Sequence, residues 1–326
     1  MQENRIVRRE TVSDSLAGLR LDRAAADLFP EFSRSRLQLW IKSGSLTVNS
    51  QNMKQKDRLQ SGDVIEIDAE LATNDELTAE AMELDVRFED EHFLIVNKPK
   101  NLVVHPAAGH HEGTLLNGLL HSYPELAQLP RAGIIHRLDK DTTGLMLIAR
   151  TLRAHTELVR QLQERRIERV YQALVHGVLT AGGTVDQPMG RHPVHRTRMA
   201  VVGEGKPART HYRVLERFPA HTHVEISLET GRTHQIRVHM AWLGYPVLGD
   251  RTYGGRPKPP AAFPPELTAA LGAFGRQALH AYRLSLIHPA NKEKTSFDMK
   301  LPPDMQNLLE LLKQNPRTQG AADAGV

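Results

Sequence analysis

A chain of 326 residues, 40% hydrophobic and 25% charged, suggests two domains, one of them large enough to bury a substantial core. The absence of cysteine excludes disulfides, zinc–thiolate and iron–sulfur sites, and any cysteine nucleophile. The net charge of +4 is small but unevenly spread: Arg34 to Arg58 carries six basic residues against one acidic, and Glu70 to Glu91 carries nine acidic against Arg87. A second basic stretch, Arg191 to Arg213, holds six Arg or Lys against Glu204, and such separate basic patches suit a polyanion better than a small substrate. No apolar run approaches the ~20 residues of a membrane span. Met1 to Thr11 is polar and lacks the apolar core of a secretory signal, so a cytoplasmic protein without a membrane partner is expected.

Residues 15–68 read as a compact module. Leu21, Ala24, Ala25 and Leu28 follow helical spacing until Pro30 stops the run. Ser33 is a candidate N-cap for a second helix with Leu37, Trp40 and Ile41 on one face, ended by Gly44. Leu46 to Val48 and Gly62 to Ile67 supply short strands, with a turn at Asn49 to Asn52. Arg20-Leu-Asp22, Ser33-Arg-Ser-Arg36, Lys42-Ser-Gly44, Val48-Asn49 and Gly62-Asp63, in that order, resemble the S4 RNA-binding domain. That resemblance implies a small α/β module with Arg34, Arg36, Lys42, Lys54 and Lys56 on its RNA-binding face.

Residues 69–83 are acidic, carry no turn motif and read as a linker that RNA would repel. A large domain over 84–313 follows, with strands at Phe93 to Val96, Leu145 to Ile148, Tyr171 to Val175 and His223 to Leu228 and a helix over Leu152 to Arg165. Residues 314–326 are small and polar and are expected to form a disordered tail.

Three segments carry chemistry. His136-Arg-Leu-Asp-Lys-Asp-Thr-Thr-Gly144 is a polar loop directly before an apolar strand, a place where a rigid scaffold presents reactive groups. The bland alternative is that Asp139 or Asp141 caps a turn. In Arg169-Val-Tyr-Gln-Ala173, Tyr171 is expected to begin a strand, where the bland alternative is a core aromatic. In Leu228-Glu-Thr-Gly-Arg-Thr-His-Gln-Ile-Arg-Val-His239, Gly231 marks a strand-to-helix transition followed by Ile236 and Arg237; the bland alternative for Arg237 is a surface charge.

Together these segments resemble the RluA family of pseudouridine synthases, with the HRLD loop and the GRTHQIR segment in the family's order. Thr143 stands where much of the family has Ser. The resemblance implies an α+β fold: an S4-like domain followed by a mixed, largely antiparallel-sheet catalytic domain with a central cleft. Asn97-Lys-Pro99, His105-Pro106 and Tyr253-Gly-Gly-Arg256 further resemble members acting on large-subunit (23S) ribosomal RNA, which implies loop uridines of helix 69 as substrate and rRNA or the pre-ribosomal large subunit as partner.

The implied reaction breaks the N1–C1′ bond of uridine, turns the uracil and joins C5 to C1′, with no cofactor, metal or group donor. One carboxylate suffices because the base is retained and no water is activated, unlike the paired carboxylates of glycosidases. By its match to HRLD that carboxylate is Asp139, through either attack at C1′ or removal of the 2′ proton to give a glycal. Arg237 matches the arginine that pairs with it, and a nearby cation favours an ionised carboxylate. Tyr171 matches the tyrosine stacking near the flipped uracil, a candidate for removing the C5 proton. Ile236 matches the support of the other base face, and Arg137 the residue that fills the vacated stack.

Seventeen histidines raise the question of a metal. His105, His110 and His111, and His192 and His195, lack acidic partners in a ligand spacing, and His234 and His239 would not share a helix face, so no metal is expected. A non-enzymatic RNA-binding protein would not need Asp139, Tyr171 and Arg237 in this arrangement. A uridine C5-methyltransferase would need the cysteine this chain lacks, and no methyl-donor signature is present.

Overall fold

The computed structural model describes residues 5–30, 32, 34–70, 78–106, 112–255, 260 and 263–315. Ser33, His110, His111, Arg256, the centre of the expected linker and the tail from 316 lie outside the described residues. The chain divides into two compact units, Met1–Thr78 with Glu125–Ala132, and Ala79–Pro124 with Gly133–Val326.

The first unit runs β1 (Arg5–Thr11), α1 (Leu21–Leu28), α2 (Arg34–Ser43), β2 (Leu46–Val48) and β3 (Val64–Glu70). Its antiparallel sheet has the order β1-β3-β2. The apolar spacing in both helices has a simple outcome: Leu21, Ala24, Ala25, Leu37, Trp40 and Ile41 pack with Leu46, Val48, Ile65 and Ile67 in one core. Gly44, at φ +82°, ends α2 in a left-handed conformation that glycine adopts freely. Asn49 and Ser50 both have positive φ between the paired residues Val48 and Gln51, a tight turn at the expected place. Strand β1 begins ten residues before the expected module, and its side chains are almost all exposed, so backbone pairing with β3 holds it.

The second unit contains β4 (Val86–Glu89), β5 (Phe93–Lys98), α3 (Leu115–Ser122), β6 (Thr143–Ala149), α4 (Leu152–Gln163), β7 (Glu168–His176) and β8 (Gly183–Asp186). It continues with β9 (Met189–Arg191), β10 (Met199–Val201), β11 (Arg209–Arg217), β12 (His221–Leu228), α5 (Gln235–Trp242), α6 (Pro265–Ala273), β13 (Leu279–Ile287), β14 (Lys294–Asp298) and α7 (Pro303–Gln314). Eight strands form a mixed sheet in the order β4-β5-β6-β13-β7-β12-β11-β8; a ninth, β14, pairs with β13, and β9 and β10 make a separate hairpin. All pairings in the sheet but β6–β13 are antiparallel. Every residue of β6 is buried, as its unbroken apolar run requires. One core cluster joins β5, β6 and β13 to Ala154 and Leu158 of α4, and another joins Leu174 to Leu267 of α6 and to Met305, Leu308 and Leu312 of α7.

The sheet's central irregularity positions the loop before β6. One edge of β13 is shared: His280 and Ala281 pair in parallel with Thr143 and Gly144, and Arg283 to Ile287 pair with β14. Gly144 has φ +114°, and a Cβ there would overlap the carbonyl oxygen of Ala281. The Gly of the HRLD segment is therefore a close-approach residue. Among the described residues, no helix is long and apolar enough to cross a membrane.

Candidate active site

The polar loop from Asp139 to Thr143 is held residue by residue. The carbonyl of Asp139 accepts the Thr142 amide at 3.1 Å. The carbonyl of Lys140 accepts from the ammonium of Lys98 at 2.8 Å, and the same ammonium donates to the carbonyls of Pro99 at 2.7 Å and Leu102 at 2.9 Å. Asp141 accepts from the Asn101 amide at its carboxylate and from Arg276 at its carbonyl, both at 3.2 Å. Gln277 donates to Thr142 Oγ1 at 3.0 Å, and Thr143 Oγ1 lies 2.8 Å from His280 Nδ1. Lys98 is fully buried, and burial lowers its ammonium to about 7, against the opposing pull of Asp141 and Asp139.

Asp139, thus placed, faces Arg237 on α5. Arg237 Nη1 donates to Asp139 Oδ2 at 3.0 Å, while its Nε and Nη2 donate to Asp250 at 2.6 and 2.9 Å. The Arg237 side chain is 8% exposed and that of Asp250 1%, so this arginine is a buried hub rather than a surface charge. Burial opposes the charge on both, yet their mutual bonds hold Asp250 below the usual carboxylate range and raise Arg237 above its ordinary value. The amides of Thr252 and Tyr253 donate to Asp250 Oδ1, at 2.8 and 3.1 Å, and the Tyr253 ring lies 5.0 Å from the guanidinium carbon. His234 completes the cluster, with Nε2 3.8 Å from Asp139 Oδ1 and Nδ1 2.7 Å from Tyr253 Oη.

A pocket of about 380 Å³ opens on this cluster, lined by Asp139, Arg137, His234, Arg237, Arg251 and Arg276 among others. Arg137 is exposed. Ile236 is buried on α5 beside Arg237 and lies outside the pocket lining, as does Tyr171. Tyr171 is the fourth residue of β7 rather than its first, because the strand starts at the polar Glu168, which sequence alternation did not mark. Burial pushes its phenol above the ordinary value; Arg169 opposes this and Asp139 adds to it, so Tyr171 lies within the field of the Asp139 carboxylate. Lys98, His234, Asp250, Tyr253 and His280 were given no place in the site from the sequence, although Lys98, His234 and Tyr253 fall in segments that carry the family resemblance.

In the first unit, Arg34 donates to Asp22 at 2.7 Å, and Asp22 is buried, also accepting from Arg20 at 3.0 Å and Gln38 at 2.9 Å. Arg36 is half-buried, and Lys42, Lys54 and Lys56 are exposed. Among the described residues, no group of three or more His, Asp or Glu is arranged to hold a metal ion. His192 Nδ1 accepts the amides of Val194 and His195, each at 3.1 Å.

Comparison with known proteins shows the family. Residues 92–242, which hold Asp139, Tyr171 and Arg237, match the RNA pseudouridylate synthase family. The chain is 54% identical to ribosomal large subunit pseudouridine synthase D of Pseudomonas aeruginosa, over 95% of this chain and 97% of the relative. It is 50% identical to the protein of that name from Vibrio parahaemolyticus, over 98% of each. Among solved structures, human RNA pseudouridylate synthase domain containing 4 matches with a TM-score of 0.55 at 26% identity, over 70% of this chain and 92% of that one. Human RNA pseudouridylate synthase domain containing 1 matches at 0.50, also at 26% identity, over 73% and 97%. The chain therefore belongs to the RNA pseudouridylate synthase family and is an RNA pseudouridine synthase.

Proposed function

We propose that this enzyme isomerises uridine to pseudouridine in large-subunit (23S) ribosomal RNA, at loop uridines of helix 69, with Asp139 as the catalytic carboxylate. The substrate class follows the names of its relatives in Pseudomonas and Vibrio, both ribosomal large subunit pseudouridine synthases. The observation that carries the site assignment is a partly exposed Asp139 in a pocket, with one oxygen bonded to the buried Arg237.

In this reading the target nucleotide leaves its stack, at a cost of a few kcal/mol, and Arg137 enters the vacated space. Asp139, its Oδ2 fixed by Arg237, acts at the ribose by attack on C1′ or by removal of the 2′ proton. Ile236 and Tyr171 flank the released uracil. After C5 joins C1′, the C5 proton must leave. Because burial disfavours ionisation of Tyr171, the nearby Arg169 is the group that would stabilise a phenolate there. No cofactor enters this sequence of steps.

Residues 15–68 act in this reading as an S4-like RNA-binding domain and 84–313 as the catalytic domain with its central cleft at Asp139. Of the acidic linker expected over 69–83, Ala69 and Glu70 instead complete β3, and the Glu80 amide donates to the Asn117 carbonyl at 3.1 Å. The partner is rRNA or the pre-ribosomal large subunit. The test is to map pseudouridine in rRNA from cells with and without this gene, and to treat the unmodified rRNA with purified wild type and Asp139→Ala. Wild type should restore the missing pseudouridines and folded Asp139→Ala should not. Appreciable product from folded Asp139→Ala would sink the assignment of the carboxylate, and restoration outside helix 69 would sink that of the substrate.

A further inference from the structure

His234 has no role in the steps above, yet its geometry is tightly specified. It is the N-cap of α5 and has φ +58° and ψ +22°, a left-handed conformation that Asn or Gly adopts more readily, whereas an N-cap normally takes the extended region. Non-glycine residues held in such conformations gather at functional sites.

The ring's hydrogen bonding follows from its neighbours. Tyr253 Oη accepts the backbone N–H of Met199 at 3.0 Å and lies 2.7 Å from His234 Nδ1. If Tyr253 donates its single proton to Nδ1, the imidazole proton sits on Nε2 and points at Asp139 Oδ1. The opposite tautomer would turn a lone pair toward that carboxylate oxygen and deprive the phenol of this acceptor. Burial, with Arg237 and Arg137 nearby, holds the ring neutral against the pull of Asp139 and Asp250.

We propose that His234 is a positioning residue for the isomerisation: its Nε2–H, set by Tyr253, guides Oδ1 of Asp139 while Arg237 holds Oδ2. This rests on the assignment of the chemistry to Asp139. The present 3.8 Å is longer than a hydrogen bond, and a shift of about 1 Å closes the contact. Because the chain of contacts starts at Met199, the first residue of β10, the hairpin's backbone is tied through Tyr253 and His234 to the carboxylate.

The test uses the full chain and a 23S rRNA transcript, with kcat, KM and melting temperature measured in parallel. His234→Asn retains a residue tolerant of the left-handed backbone but too short to reach Oδ1. It should lower kcat about 10- to 100-fold while KM stays within about threefold. His234→Gln, whose amide nitrogen reaches the place of Nε2, should recover about tenfold of that loss. Tyr253→Phe, which keeps the ring beside Arg237, should also lower kcat with little change in KM. A His234→Asn rate near wild type, equal losses in the Asn and Gln variants, or full activity of Tyr253→Phe would overturn the role. Asp139→Asn, run alongside, separates the two readings: activity in that variant would overturn the Asp139 assignment itself.

Discussion

Arg237 reaches Asp139 with one N–H and gives two others to Asp250, so a single guanidinium serves carboxylates from two separate chain segments. Arg237→Leu should cost about 3–5 kcal/mol in urea unfolding, because Asp250 stays buried without its cation. Adding Asp250→Leu should restore much of that stability, since apolar replacement of a whole buried pair is often neutral, while pseudouridine formation stays abolished. A double variant no more stable than the single one would show that the two residues are not coupled. The acid sign also follows. Asp250 is held below its ordinary 3.8, so its contribution is present above about pH 4 and is lost as pH falls through the lower folded value. Arg237→Leu should therefore flatten the acid limb of the stability curve.

Lys98→Met should destabilise the catalytic unit although it removes a buried charge. It leaves the carbonyls of Pro99, Leu102 and Lys140 without their donor. At ~1–3 kcal/mol for each orphaned group, partly offset by relief of ammonium burial, a net loss of about 3 kcal/mol is expected. In wild type, Lys98 has a folded value of about 7 against 10.5 unfolded, so between these limits the unfolded chain binds the extra proton and stability rises with pH. Unfolding at pH 7 and pH 9 should show that rise in wild type and a weaker one in Lys98→Met. Identical slopes would mean that Lys98 does not titrate in this range.

Tyr171→Phe keeps the ring and removes the hydroxyl, which separates stacking from proton transfer. The variant should bind RNA as wild type does and cleave the glycosidic bond, yet fail to release finished pseudouridine. Quantifying unmodified uridine, covalent adduct and product after a single turnover would distinguish these steps. Wild-type turnover would remove the hydroxyl from the mechanism.

Lys42, Lys54 and Lys56 are exposed, and their joint replacement by alanine should weaken RNA binding and reduce the salt slope by roughly 0.7 to 0.9 for each phosphate that is no longer neutralised. Arg34→Ala should behave differently. Its guanidinium is bonded to the buried Asp22, so the variant should also unfold more readily. An unchanged salt slope in the triple variant would show that these lysines do not touch phosphate.

The sequence made the two residues proposed for the site, Asp139 and Arg237, legible because they sit in contiguous motifs, HRLD and GRTHQIR, and the structure brings them together. The groups that hold them were not legible. Lys98 lies 42 positions from the carbonyl it bonds, and Gln277 lies 135 positions from Thr142, so no periodicity connects them. Asp250 reads locally as an ordinary turn residue, and its role arises only when α5 brings Arg237 to it. In the first unit the helices and β3 followed from apolar spacing, whereas β1 did not. All its side chains but Ile6 are exposed and its partner is 53 or more residues away, so most of what holds it is backbone pairing, which carries no sequence signal.

The close approach at Gly144 indexes the Asp139 carboxylate to the sheet by residue count. Asp139 stands five positions before a point where β6 touches β13 so closely that a side chain has no room. Sliding the loop by one residue would bring Thr143 or Leu145 to that crossing, so the register between strand and carboxylate has a single solution. The sheet thus acts as a ruler with one usable mark: a residue inserted between Asp139 and Gly144 would leave the fold's layers in place and carry the carboxylate away from Arg237.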